Sequence, residues 1–167
     1  METDTIKKFI KKIPFFEVFN DHELNKLVGK EKVFKDCKKG ETIFKEGDPG
    51  GSLFVVLFGD IHLIKVSEKE VDETLIMEVH ASTVFGEIAM LTNRKRNLTA
   101  RAASTKVVVM EFSNSFIDKL IPSIQTKFHK QLLLVLAKNL DTMNMRYAKL
   151  ASSVEIREQL ATAGKIK

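Results

Sequence analysis

KKGETIFKEGDPGGSLFVVLFGDIHLI, residues 38–64, decides the fold. Short runs rich in Ile, Val, Leu and Phe alternate with turn residues at Lys39-Gly40, Gly47-Asp48-Pro49-Gly50-Gly51 and Gly59-Asp60. Runs this short, bounded by Gly, Asp and Pro, read as strands rather than helices. Gly59-Asp60 stands between two apolar runs, which predicts a tight hairpin joining them. The same texture continues through TLIMEV, LTARAA and KVVVMEF, so residues 31–112 are expected to form an antiparallel β roll, jelly-roll-like, of about eight strands. FGEIAML interrupts the strands and is short enough for about one helical turn.

Outside the roll the period changes. In residues 1–30, Ile6, Phe9, Ile10 and Ile13 recur at helical spacing. Pro14 breaks that pattern, and Asn20-Asp21 offers an N-cap for a short helix carrying Leu24, Leu27 and Val28. After the roll, Ser113 or Ser115 can cap a helix bearing Phe116, Ile117, Leu120 and Ile121, and Pro122 opens a second, longer one. Along it Leu133, Leu136, Leu140, Met143, Tyr147, Leu150 and Val154 follow one another at spacings of three and four, the seam of a coiled coil. Such a helix can lie on its own domain or pair with a second copy. The widened apolar face at Leu132, Leu134 and Val135 suits packing on the roll first and on a partner later. The segments are therefore N-terminal helices (1–30), the roll (31–112), C-terminal helices serving as lid and dimer seam (113–155) and a fraying tail (156–167). The fold class is α+β.

Composition narrows the function. Hydrophobic residues make up 44% and charged residues 29%, the balance of a folded, soluble chain. The single Cys37 excludes an internal disulfide and any Cys-based zinc site. METDTIKKFIKKI lacks the apolar core of a signal peptide, and no apolar run reaches membrane-spanning length, so a cytoplasmic location and no membrane contact are expected. The net charge of +5 comes from lysines spread along the chain without interleaved aromatics, which suits a solvated surface better than a polyanion-binding face. His22, His62, His80 and His129 are scattered with no His-x-His pair, so no metal site is expected. No Gly-x-Ser-x-Gly elbow, Walker loop or paired catalytic acids are present, and no catalysis or resident cofactor is expected.

The segment FGEIAMLTNRKRNLTARA, residues 85–102, places one acid beside a glycine and a cluster of cations shortly after. Together with 38–64 it resembles the cyclic nucleotide-binding domains of the catabolite activator protein, the cyclic-nucleotide-dependent kinases and gated channels. The resemblance covers roughly Ile13 to Val154. Gly40, Gly47, Asp48 and Gly59 match the turn glycines and acid of that family's roll, and residues 85–99 look like its phosphate-binding cassette: Phe-Gly-Glu, then an Arg at 96, nine positions after Glu87.

The resemblance implies a ligand site at Phe85, Gly86, Glu87, Ile88, Ala89, Arg96, Asn97, Leu98 and Thr99. Its chemistry is self-consistent. A cyclic phosphodiester carries one negative charge, and a guanidinium fork plus amides of a first helical turn, at Ile88 and Ala89, can replace its water. Gly86 lets backbone come close because it has no Cβ. By resemblance, Glu87 accepts from the ribose 2′-hydroxyl, and its carboxylate offsets Arg96 when no ligand is bound. Lys95 stands where the family usually has Pro, and Asn97-Leu98 where it often has Ala-Ala or Thr-Ala. A Thr directly after the Arg often accompanies cyclic GMP; Asn97 can imitate it, and cyclic AMP is the expected ligand with cyclic GMP as the alternative. Aligning LAKNLDTMNMRYAKL with the activator's long helix brings Asn144 to the adenine amino group, with Arg146 or Tyr147 over the ring, although Met143 and Tyr147 already serve the seam.

The expected function is a stand-alone cyclic nucleotide sensor that forms a homodimer through the seam and signals to an unnamed downstream protein. The alternative is a ligand-independent interaction domain of the same fold. A helix-turn-helix needs several dozen residues beyond Val154, so direct, specific DNA binding is not expected.

Overall fold

The computed structural model describes residues 3–29, 33–66 and 72–163, with side chains over 7–29, 33–66 and 72–153. The chain divides into two compact units, the first ending at His129 and the second beginning at Lys130.

In the first unit, helix α1 (Thr3–Ile10) leads into a 3-10 turn at Pro14–Phe16 and then helix α2 (Asp21–Val28). Asn20 caps α2 by a reciprocal pair: its Oδ1 accepts from the Glu23 N–H at 2.9 Å, while Glu23 Oε2 accepts from the Asn20 N–H at 2.9 Å. Eight strands follow among the described residues: β1 (Phe34–Lys38), β2 (Thr42–Phe44), β3 (Ser52–Phe58), β4 (Ile61–Val66), β5 (Glu73–Val79), β6 (Val84–Phe85), β7 (Thr99–Ala102) and β8 (Lys106–Ser113). Helix α3 (Glu87–Thr92) lies between β6 and β7, and helix α4 (Asn114–Ile117) follows β8. Ser113, rather than Ser115, caps α4, accepting from the Phe116 N–H at 3.2 Å.

The strands form two antiparallel four-stranded sheets, ordered β1-β8-β3-β6 and β2-β7-β4-β5. Both contribute to one core. Cys37, Phe54, Val56, Phe85, Val107 and Val109 come from the first sheet, and Ile43, Ile61, Val79, Ala100 and Ala102 from the second. The first sheet is also covered on its other face. Phe112 of β8 lies 6.0 Å from Phe16 and 5.4 Å from Phe128, ring centre to ring centre, and Phe128 meets Phe15 at 5.0 Å. Covering both faces explains why β3 is apolar without alternation, with Leu53, Phe54, Val55 and Val56 all buried.

The turn at Gly59-Asp60 differs from the expected hairpin. β3 and β4 are not paired; β3 pairs with β6 and β8, and β4 with β5 and β7. Gly59-Asp60 is the corner at which the chain leaves one sheet for the other. Gly59 has φ of +80°, and a Cβ there would stand 2.4 Å from the Lys106 carbonyl oxygen, so the close crossing requires glycine. A turn sequence reports the backbone conformation and leaves open which sheet the next strand joins. The runs read as strands all appear, while β1 and the two-residue β6 carry too little apolar pattern to stand out. TLIMEV, which becomes β5, sits at a sheet edge with Leu75, Ile76 and Met77 exposed.

The last helix, α5 (Pro122–Ala163), opens at Pro122 as the sequence suggests and spans the division between the units. It continues past residue 155, where a fraying tail was expected, as far as Ala163; residues 164–167 lie outside the described structure. In the second unit the seam positions Leu133, Leu140, Met143, Tyr147 and Leu150 are exposed and Leu136 is half-buried, while the Val154 side chain is outside the described residues.

Candidate functional site

Arg96 is the centre of the site. It is 4% exposed, whereas Arg94 and Lys95 beside it are exposed. Three constraints bring it inward. The Gly-rich turn after β2 is held to its backbone: the Gly47 N–H donates to the Arg96 carbonyl at 2.9 Å, and the Arg96 N–H donates to the Asp48 carbonyl at 2.8 Å. Pro49 and Lys95 form an isolated antiparallel bridge. Gly50 then packs against α3 so closely that a Cβ would lie 2.3 Å from the Arg94 carbonyl oxygen and 2.4 Å from Ala89 Cβ. The two sequence stretches that single out the family thus touch each other, residue against residue, where the guanidinium is aimed.

The guanidinium itself is partly satisfied. Nη1 donates to the Gly86 carbonyl at 2.8 Å and Nη2 to Ser52 Oγ at 3.1 Å. Its carbon lies 4.2 Å from the centre of the Phe44 ring and 5.6 Å from that of Phe54, a cation–π arrangement. Nε is buried and has no hydrogen-bond partner. Burial lowers the Arg96 pKa from its ordinary value, and the acids that oppose this are Glu111, then Asp48, then Glu87. Glu87 is thus one of three acids that act as counter-charges to Arg96. A desolvated cation with an unanswered N–H is a costly feature to keep in a fold without an anion to meet it.

Gly86 has φ of +76° and precedes α3. A Cβ there would fall 2.8 Å from Arg96 Nη1, so glycine makes room for the guanidinium as well as adopting the left-handed turn. Glu87, the first residue of α3, is 5% exposed; Ala89 is buried and Ile88 is 52% exposed. With six residues, α3 has a small dipole, and Arg96 dominates the local field.

The remaining expected residues fall in different environments. Phe85 is core: its ring stacks on Phe54 at 5.3 Å and lies 5.9 Å from Phe44. Thr99 is buried, and its Oγ1 accepts from the Glu46 N–H at 3.0 Å, which ties β7 to the end of β2. Asn97 is exposed and Leu98 half-buried. Asn144 is exposed on the part of α5 that belongs to the second unit. Sequence reasoning missed Ser52, Phe44 and Phe54, the groups that hold and cover the guanidinium. In the chain they are ordinary strand residues: β3, paired with β6, brings Ser52 and Phe54, and β2, paired with β7 in the second sheet, brings Phe44. Two surface depressions, of about 340 and 400 Å³, are lined by α2 with the α4–α5 connection and by α1 with α2; neither includes a residue of 85–99.

A β roll thus buries a guanidinium beside a left-handed glycine and a short helix. Residues 34–123 match the cyclic nucleotide-binding domain family, and the chain belongs to it. Among similar proteins, the cAMP-dependent protein kinase regulatory subunit of Mycosarcoma maydis is 28% identical over 97 residues, 58% of this chain and 18% of that protein. The cGMP-dependent protein kinase egl-4 of Caenorhabditis elegans is 25% identical over 123 residues, 74% of this chain and 15% of that protein. The chain thus spans under a quarter of the length of the curated relatives it matches. In fold it is similar to a cyclic nucleotide-binding domain from Methylobacillus flagellatus, with a TM-score of 0.67 and 23% identity over 86% of this chain and 80% of that one. No helix among the described residues is long and apolar enough to cross a membrane.

Proposed function

We propose that the chain is a cyclic nucleotide sensor that binds cyclic AMP at Arg96 and the 85–99 segment and passes occupancy on through its C-terminal helices. The observation that carries this is the buried Arg96 guanidinium, whose Nε has no partner while its two terminal nitrogens hold the glycine turn and Ser52. A cyclic phosphodiester would supply the missing acceptor and neutralise the desolvated charge. Glu87, buried at the start of α3, is the group we assign to the ribose 2′-hydroxyl. The similar proteins include kinases named for cAMP and for cGMP, and Asn97, which follows the Arg and can imitate a Thr there, keeps cyclic GMP as the alternative ligand. Asn144 is proposed as the residue that reaches the adenine amino group.

Signalling would be a population shift between two arrangements of the C-terminal helices, driven by the ligand's preference for one of them. The regulatory role, rather than a catalytic one, follows from a site that holds a charge and offers no nucleophile and base in series. The exposed Leu133, Leu140, Met143, Tyr147 and Leu150 support a second proposal, self-association along α5, which analytical ultracentrifugation reads directly.

Thermal unfolding tests the sensor. At a hundredfold excess over Kd a specific ligand stabilises by about 2.7 kcal/mol, a rise of several degrees for a chain this size. The expected outcome is a rise with cyclic AMP, less with cyclic GMP and none with linear 5′-AMP. No rise with either cyclic nucleotide, in protein stripped of bound ligand, would leave the ligand-independent interaction domain as the better reading.

A further inference from the structure

The corner at Gly59-Asp60 sits at one end of the β4–β5 ribbon, where the register pairs Ile61 with Val79 and His62 with Glu78. One step further along, Asp60 comes opposite His80. Ile61 and Val79 are buried, 0% and 2% exposed, so the alternation of a strand turns Asp60, His62, Glu78 and His80 outward together. Four residues separated by up to twenty positions become a two-by-two block on one face. His80 Nδ1 lies 2.8 Å from Asp60 Oδ1, and His62 Nε2 lies 3.6 Å from Glu78 Oε1. One ligating atom each from Asp60, Glu78 and His80 falls within 4.8 Å of the other two.

From this geometry we propose that Asp60, Glu78 and His80, with His62 as a fourth ligand, form a binding site for a divalent transition cation of the zinc or nickel type. Imidazole nitrogen with carboxylate oxygen is a donor set suited to such borderline cations, while magnesium and calcium prefer oxygen alone. Metal–ligand bonds of about 2.0–2.2 Å place ligating atoms about 3.4 Å apart in a tetrahedron. The ligating atoms of Asp60, Glu78 and His80, within 4.8 Å of one another, would draw in by side-chain rotation to reach that spacing.

Asp60 is already oriented for the role. Its Oδ2 accepts from the Ser104 hydroxyl at 2.7 Å, and its own N–H donates to Ser104 Oγ at 3.1 Å. Its carbonyl accepts from the Ala103 N–H at 2.8 Å. That leaves Oδ1 directed at His80, the arrangement in which an outer hydrogen bond fixes a ligating carboxylate. Arg101, paired in register with His62, is the nearby cation that would oppose a metal, and it is engaged by both oxygens of Glu73 at 2.7 Å. A bound cation would staple β4 to the end of β5, four residues before β6 leads into Gly86.

The test uses the full chain, free of affinity tags and stripped with EDTA. Titration calorimetry with zinc chloride and nickel chloride should show one equivalent bound at micromolar affinity, with magnesium and calcium giving no saturable heat. Asp60→Asn and His80→Ala should each weaken zinc at least tenfold, whereas the His22→Ala/His129→Ala double variant should bind as the parent does. Histidine side-chain NMR on the unmodified protein provides a measurement that does not depend on any variant folding. Zinc should shift the His62 and His80 rings and leave His22 and His129 in place. Shifts confined to His22 and His129, zinc affinity unchanged in His80→Ala, or no binding below millimolar zinc would each overturn the proposal.

Discussion

Arg96 separates a structural residue from a functional one. A buried guanidinium with an unpartnered Nε contributes little to folding once its desolvation is counted, since replacing a buried charge with an apolar group of similar volume is often close to neutral. Arg96→Met keeps the contact with Phe44 and loses the fork. We expect this variant to melt within a few degrees of the parent without ligand and to show a cyclic nucleotide-induced rise cut to about half or less at the same ligand concentration. A charge-assisted hydrogen bond is worth about 1.5–3 kcal/mol, so affinity measured by calorimetry should fall at least tenfold. A large loss of unliganded stability with binding intact would assign Arg96 to the core instead. The resemblance singled out Arg96 over Arg94 by its place nine residues after Glu87, and in the structure Arg96 is buried while Arg94 is exposed. What the spacing could not show is that Glu111 of β8 and Asp48 of the Gly-rich turn also act on Arg96 as counter-charges beside Glu87.

Among the elements, the Gly47–Gly51 turn is what aims Arg96, and it does so chiefly through its backbone. Gly50 needs no unusual dihedral; its constraint is the Arg94 carbonyl and Ala89 within 2.4 Å of where a Cβ would stand. Because much of that obstruction is backbone, Gly50→Ala must move α3 or the 94–96 segment. Overpacking of this kind costs about 1–3 kcal/mol, and we expect a melting point lower by several degrees together with weaker ligand binding. Gly51→Ala is the control, since nothing lies within 4 Å of its added Cβ, and it should change neither. The strand character of these elements came from composition and turns. The corner at Gly59-Asp60 did not, because hairpin and sheet-switching turns share the same residues and differ only in partners distant in sequence.

On the scale of the first unit, one ion pair ties α2 to the opening turns of α5. Lys127 Nζ reaches both oxygens of Glu23, at 2.9 and 2.7 Å, and the same carboxylate completes the α2 cap at Asn20. The Lys127 hydrogen bond, followed by that from the Asn20 backbone, holds the Glu23 pKa below its ordinary value. A depressed folded pKa contributes stability that is complete above the unfolded value of about 4.3 and is lost as pH falls through the folded one. The melting-point gap between the parent and Glu23→Gln should therefore be widest near neutral pH and close as the solution is acidified below about pH 4.3. A gap that stays constant with pH would mean that only the cap, and not the charge, matters.

The sequence by itself determined six of the eight described strands and the Asn20 cap of α2, because these depend on local periodicity and dihedral preference, and its resemblance to a known cassette singled out Gly86, Glu87 and Arg96. The tertiary structure alone decided that β3 and β4 part into different sheets and that Ser52, Phe44 and Phe54 enclose the guanidinium. It also brought Asp60, His62, Glu78 and His80 together on one face. The physical reason is register. Which residues meet across two strands is fixed by burying Ile61 and Val79 together, and such long-range pairing leaves no local mark in the chain.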